Sequence, residues 1–200
     1  MQESPATRVS LLVRLRDGSD AAAWREFVRL YAPVIYGFAR KRGLQDADAA
    51  DLMQEVLRSV SRAAQGLEYD PNRGTFRGWL FTVTRNKVFN FLESRRKRVV
   101  GSGDSRVQAR LEQHADGDGT LSGDWETDYQ RTLAAQAMER VKGEFQSATW
   151  QAFLLTAVEG KTPAQIAKQV GLSVGAIYVA KSRVIARLRQ EIETMQGDEP

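Results

Sequence analysis

The stretch that decides the fold is Thr162–Val184, TPAQIAKQVGLSVGAIYVAKSRV. Thr162 is an N-cap residue, Pro163 suits the first helical position, and Gln165 stands where a capping box requires it. Ile166, Ala167 and Val170 then form one inner face, with Ala167 small enough for a second helix to cross closely. Gly171 supplies a left-handed residue at the turn, and Leu172 plugs the corner. Ser173 caps a second helix whose buried side is Ile177, Ala180, Val184 and Leu188. Caps, turn glycine and spacing together specify a helix-turn-helix. Gly175, Tyr178, Val179, Ser182 and Arg183 are left facing outward, with Lys181, Arg187 and Arg189 along the flanks. In a helix-turn-helix that binds DNA, outward residues on the first turns of the second helix meet base edges in the major groove. Flanking Lys and Arg meet phosphates, which set register rather than sequence. A plain helical hairpin with a solvated basic face is the alternative, and it does not need this combination of caps and turn.

Upstream, helical periodicity continues and no stretch reads as a strand. Trp24, Phe27, Val28, Tyr31, Val34, Ile35 and Phe38 recur at three- and four-residue steps. Pro33 should kink or split that helix, and Gly43 should end it after Arg40, Lys41 and Arg42, cations suited to a helix C-terminus. A second helix is expected over about Ala47 to Ala64. Its apolar face is Met53, Val56, Leu57, Val60 and Ala64; its polar face, Asp51, Gln54, Glu55, Arg58 and Arg62, is either a solvated surface or a protein-docking one. The breaker-rich turn Tyr69–Gly74 follows. Then comes a helix from about Phe76 to Lys97 with large side chains on both faces. Its aromatics, bases and amides suit a single nucleic-acid strand, bases stacking on rings while cations track the backbone. Equally, Phe76, Trp79, Leu80, Val83, Phe91 and Leu92 could be core.

Between these helices and the helix-turn-helix lies Gly101–Asp128, with five glycines, many acids and little apolar periodicity. It is expected to be a flexible acidic linker, giving an all-α protein of two small domains, 1–100 and 129–195, joined by 101–128. The length of 200 residues and the 42% hydrophobic and 27% charged composition fit such a chain. The net charge of +4 conceals its distribution. Residues 1–100 carry 18 basic and 11 acidic side chains, residues 101–130 carry 2 and 7, and residues 131–200 carry 9 and 7. Basic segments flanking an acidic one point to an anionic partner, nucleic acid before a membrane surface.

No cysteine and a single histidine, His114, exclude disulfide frameworks and thiolate metal sites, and count against a histidine triad. No metal or cofactor is implied. The absence of a long apolar run or a secretory h-region argues against membrane insertion and for a cytoplasmic protein.

Further residues carry a family resemblance. Leu30-Tyr31-Ala32-Pro33, the segment Asp48-Ala-Ala-Asp51-Leu-Met-Gln54-Glu55-Val56, and Phe76-Arg77-Gly78-Trp79-Leu80 leading into Thr84-Arg85-Asn86-Lys87 resemble the second conserved region of sigma-70-family sigma factors, in the extracytoplasmic-function (ECF) group. The C-terminal seventy residues resemble the fourth region, so the likeness covers about 165 residues.

The resemblance implies a transcription initiation factor rather than an enzyme. Its partners would be core RNA polymerase and promoter DNA, both duplex and melted non-template strand; many relatives are also held by an anti-sigma factor. Asp48, Asp51, Leu52, Gln54, Glu55 and Val56 match positions that dock on the polymerase clamp. Tyr69, Phe76, Trp79, Arg85, Asn86, Lys87 and Asn90 fall where the minus-ten element is melted and captured, and Arg95, Arg96 and Arg98 where adjacent phosphates lie. Ser173, Val174, Gly175, Tyr178, Val179, Lys181, Ser182, Arg183 and Arg187 would meet the minus-thirty-five element. The linker would thread polymerase channels that otherwise hold RNA.

One departure concerns the recognition helix. Relatives carry a basic-Ser-Arg run on its first outward turn, where this chain has Tyr178-Val179-Ala180, and Lys181-Ser182-Arg183 follows one turn later. Apolar contact with a thymine methyl is then the expected readout. Two other readings remain. A helix-turn-helix regulator acting without polymerase predicts duplex binding by the chain alone. A metal-dependent nuclease built on Asp46, Asp48 and Asp51 has less to support it, because acids at a helix start already complement the helix dipole.

Overall fold

Every described element is helical, and each forms for a reason visible in its own residues. The computed structural model describes residues 9–64, 75–100 and 118–196. The chain divides into two units, Met1–Thr132 and Leu133–Pro200.

In the first unit, α1 (Val9–Leu15) joins α2 (Ala21–Lys41) through a tight polar turn. Asp17 accepts hydrogen bonds from the Ser19 N–H at 2.9 Å and its hydroxyl at 2.6 Å. Asp20 caps α2, accepting from the Ala23 N–H at 2.8 Å. Arg14 grips the same carboxylate at 2.8 and 3.1 Å, which holds the Asp20 carboxyl below its usual range. The inner face of α2 is Ala23, Phe27, Leu30, Tyr31, Val34, Ile35, Phe38 and Ala39, while Val28 turns outward. Pro33 does not split the helix, which runs unbroken through it. Pro33 and Arg29, whose carbonyl loses its donor, are both exposed, so water can serve that carbonyl.

Gly43 ends α2 at φ +85°. Its N–H bonds the Arg40 carbonyl at 3.0 Å, and the Leu44 N–H bonds that of Ala39 at 3.3 Å. This is a Schellman cap with its hydrophobic residue, Leu44, buried. Two more helices complete the first set, α3 (Asp46–Ala64) and α4 (Phe76–Val100). The Thr75 hydroxyl starts α4 by accepting from the Gly78 N–H at 3.1 Å.

The linker expectation changes at this point. A helix, α5, spans Asp118–Val141, so residues 118–128 are helical; residues 101–117 lie outside the described ones. The unit boundary falls after Thr132 rather than at 128. Trp125 and Tyr129, four residues apart, are buried in the first unit. Trp125 lies edge-on to Phe38 at 5.6 Å and against Phe81 at 5.8 Å, and Tyr129 stacks on Tyr31 at 5.7 Å. The acids beside them, Asp124, Glu126 and Asp128, face the unit's own bases. Lys41 pairs with Asp128 at 2.7 Å, Arg77 with Glu126 at 3.4 Å, and Arg42 with Asp124 at 3.6 Å.

Arg42 is buried, with its guanidinium 3.4 Å over the Phe38 ring and donating to the Phe38 carbonyl at 3.2 Å. Burial pulls its pKa down, and the carboxylates of Asp124 and Asp128 act in the opposite direction. The acidity of the expected linker is thus, over 124–128, paired with bases of the first unit itself. Packing on two sides also accounts for the large side chains on both faces of α4: one side meets α2 and α3, and Phe81 meets α5.

In the second unit the end of α5 leads through a 3₁₀ turn, Lys142–Glu144, into α6 (Ser147–Phe153), which continues as a π-helical turn, Leu154–Val158. Two further helices follow, α7 (Pro163–Val170) and α8 (Val174–Gln196). Ala152, Leu155, Ile166, Val170, Ile177 and Ala180 form one core cluster, with Ala167 and Leu172 packed against it. Val141, Trp150, Phe153 and Val184 form another.

Candidate nucleic-acid and protein-docking surfaces

The α7–α8 hairpin is set by its caps. The Gln165 carbonyl oxygen accepts from the Thr162 N–H at 2.8 Å, fixing the start of α7. Gly171 adopts φ +67°, ψ 28°, and its N–H returns to the Ala167 carbonyl. The Ser173 hydroxyl accepts from the Ala176 N–H at 3.2 Å and starts α8. With Ile177, Ala180 and Val184 buried, the phase of α8 is fixed.

Eight of the nine residues expected to meet duplex DNA lie together on the open side of α8. Ser173, Val174, Gly175, Tyr178, Val179, Ser182 and Arg183 are exposed, and Lys181 is half-buried at their edge. Tyr178 and Val179 are 59% and 57% exposed, an apolar pair set among polar and basic neighbours. Arg187 is set apart. It donates to Glu144 at 2.7 Å through both Nε and Nη2, and to Glu191 at 3.1 Å.

In the first unit, α3 presents Asp51, Gln54, Glu55 and Arg58 to solvent, with Asp48 half-buried beside them. Leu52 and Val56, grouped with those acids in the sequence reading, are instead core, at 3% and 0% exposure. They share the inner face with Ala49, Val60 and Ala64, because steps of three and four residues return to the same side of a helix. Asp46 accepts from the Tyr36 hydroxyl at 2.9 Å and pairs with Arg40 at 2.8 Å, and Asp48 pairs with Arg95 at 3.6 Å. Two of the three carboxylates considered for a nuclease, Asp46 and Asp48, are thus matched by cations, and Asp51 is exposed on the next turn.

The α4 residues separate into three groups. Phe76 is core, packed edge-on to Phe27 and Tyr31. Asn86 and Asn90 are exposed on one strip, and Trp79, at spacings of seven and four on the same side of the helix, is half-buried with its ring 5.4 Å from that of Phe76. Thr82, exposed on the same strip, was missed by the sequence reading, although the step of four to Asn86 would have found it. Lys87 turns toward α3, 3.5 Å from Glu55, and the Arg85 guanidinium lies 5.4 Å over the Phe89 ring. Arg95 and Arg96 are exposed near the end of the helix. Tyr69 lies outside the described residues, as does the side chain of Arg98.

No group of carboxylates and imidazoles among the described residues is placed to hold a metal ion. Nor is any helix among them long and apolar enough to cross a membrane. The arrangement instead offers an acidic and amide face on α3, an aromatic and amide strip on α4, and an apolar and basic face on α8.

Comparison with known proteins places both units. Residues 27–98 match the family model for sigma-70 region 2, and residues 150–188 match the one for sigma-70 region 4, together more than half of the chain. The chain is 33% identical over 89 residues to the ECF RNA polymerase sigma factor RpoE of Cereibacter sphaeroides, covering 44% of this chain and 48% of that protein. It is 31% identical over 180 residues to the ECF RNA polymerase sigma factor SigE of Mycolicibacterium smegmatis, covering 88% of this chain and 63% of that one. With SigL of Mycobacterium tuberculosis the identity is 29% over 181 residues, 89% of this chain and 92% of the relative. The chain thus spans about half to two thirds of the length of the first two relatives. With region 2 and region 4 matched in order, the chain belongs to the sigma-70 family of sigma factors, in its ECF group.

Proposed function

We propose that this protein is a transcription initiation factor that binds core RNA polymerase and directs it to specific promoters. The exposed α3 residues Asp51, Gln54 and Glu55 dock on the polymerase. The Trp79–Asn86–Asn90 strip of α4 takes bases of the melted minus-ten element, and the outer side of α8 reads the minus-thirty-five duplex. The pairing of region 2 with region 4 in one chain carries this reading, because a factor that both opens and addresses a promoter needs two reading heads.

No bond chemistry is assigned to the chain, and its work is differential binding. Unstacking a base costs a few kcal/mol, roughly, which capture in a protein pocket offsets. Stacking on a ring such as Trp79 returns about 1–3 kcal/mol per base. The cytoplasm, where polymerase and chromosome meet, is the compartment this reading assigns.

Affinity capture with purified core polymerase tests the docking step. The wild-type chain is expected to retain core, and Gln54→Ala with Glu55→Arg to lose most of that retention with an unchanged circular dichroism spectrum. Undiminished capture by the double variant would move the docking face elsewhere. Tight specific duplex binding by the chain alone, with no core bound, would favour the regulator that acts without polymerase.

A further inference from the structure

Arg187 occupies an unusual position for a residue on a DNA-reading helix. About four turns beyond Ser173, it leaves the open side of α8 and turns back toward the 3₁₀ segment Lys142–Glu144. Its guanidinium meets the Glu144 carboxylate in a two-point fork, both contacts 2.7 Å. The same Nη2 reaches Glu191 one turn further along at 3.1 Å, and Glu191 also accepts from Arg140 in the last turn of α5 at 3.2 Å. The Arg187 and Glu191 side chains are only 31% and 13% exposed. The four residues form a continuous chain of alternating charge, Glu144–Arg187–Glu191–Arg140. It flanks the Val141–Val184 cluster, where Leu188 also packs. Isolated surface ion pairs contribute little, but a forked arginine within a network is the exception.

We propose that Arg187 is a positioning residue rather than a phosphate contact. Through Glu144 and Glu191 it fixes the direction in which α8 leaves the core, and so the angle at which Tyr178, Val179 and Arg183 are presented to the groove. A helix fixed only by apolar packing can roll by a fraction of a turn. The fork is directional, and a planar guanidinium holds it where an ammonium cannot. Arg183, one turn earlier and exposed with no ion-pair partner among the described residues, is left for phosphate.

This inference rests on the DNA-reading role assigned to α8, and its test separates the two. Holoenzyme made from core polymerase and the full chain is used to select an upstream duplex from a random-sequence DNA pool. Affinity for that duplex is then measured against salt for wild type, Arg187→Gln, Arg187→Lys, Glu144→Gln, the Gln/Gln double variant and the charge swap Glu144→Arg/Arg187→Glu. Each single variant should weaken binding about threefold to tenfold, Lys rescuing only in part, and the double variant should be no worse than the weaker single. The charge swap should recover part of the loss, and the slope of log affinity against log salt should stay at the wild-type value. A phosphate contact behaves differently: Arg187→Gln would flatten the slope by about one, and Glu144→Gln would bind as well as wild type or better. Either result overturns the proposal, as would additive losses in thermal unfolding of the same set. If wild-type holoenzyme selects no upstream duplex, the DNA-reading role fails, while the unfolding cycle still decides whether the clamp exists.

Discussion

Tyr178 and Val179 keep more than half of their side chains in water on the open face of α8, a placement that folding alone does not ask for. With the groove-entering role proposed for α8, apolar atoms at that point match the one apolar feature of the major groove, the thymine methyl. Replacing thymine by deoxyuridine at the contacted positions of the upstream element should therefore weaken binding about fivefold to twentyfold, near the energy of one good base contact. The same replacement should have little effect on a Tyr178→Ala/Val179→Ala variant. Equal loss in variant and wild type would show that the methyls act through DNA shape. This surface was legible from sequence because it follows from phase: once Ser173 caps and Ile177 and Ala180 are buried, the outward set is determined. On α3 the phase put Val56, Val60 and Ala64 on the apolar face, where they are buried, but it missed Leu52; the set that the resemblance carried over grouped Leu52 and Val56 with the acids, and six residues out of nine consecutive positions cannot all face one way on a helix.

Among the elements, α5 was the least legible. Its glycines and acids resemble a linker, and nothing within the helix reveals its partners. Those partners are distant in sequence: Phe38 and Phe81 for Trp125, Tyr31 for Tyr129, and Arg42, Arg77 and Lys41 for the three acids. Tertiary contact overrode weak local propensity, whereas α2, α7 and α8 carry their caps and stripes in adjacent residues. Trp125→Ala should destabilise the first unit by about 3–5 kcal/mol in denaturant unfolding, the usual cost of deleting a buried aromatic. A loss under 1 kcal/mol, roughly the scale of a surface substitution, would mean that this part of α5 does not belong to the unit.

The second unit has a pH-sensitive element in Glu191. Its burial alone would raise the carboxyl pKa, but hydrogen bonds from Arg140 and Arg187 outweigh this and leave it below the usual glutamate range. A carboxyl held lower in the folded state contributes stability above its unfolded-state pKa, and loses it as pH falls through the folded value. Thermal unfolding of the wild-type second unit should therefore decline more steeply with acidification, below the ordinary glutamate range, than that of Glu191→Gln. Parallel pH profiles would show that the two arginines do not grip this carboxylate in solution.

For the whole molecule, the uneven charge has a division of labour behind it. The basic N-terminal segment spends Arg42, Arg77 and Lys41 on its own acidic helix, so the net +4 understates how much positive charge is used internally. What remains exposed on α4 and α8 is the charge that the proposed function assigns to DNA. The central claim is that the chain makes core polymerase open a promoter, and permanganate reactivity of thymines tests it most directly. On a promoter fragment from the source genome, thymines around the minus-ten element should become reactive only when core and chain are both present, and lose that reactivity with Trp79→Ala. Reactivity with core alone, or none on any promoter with both, would contradict the account.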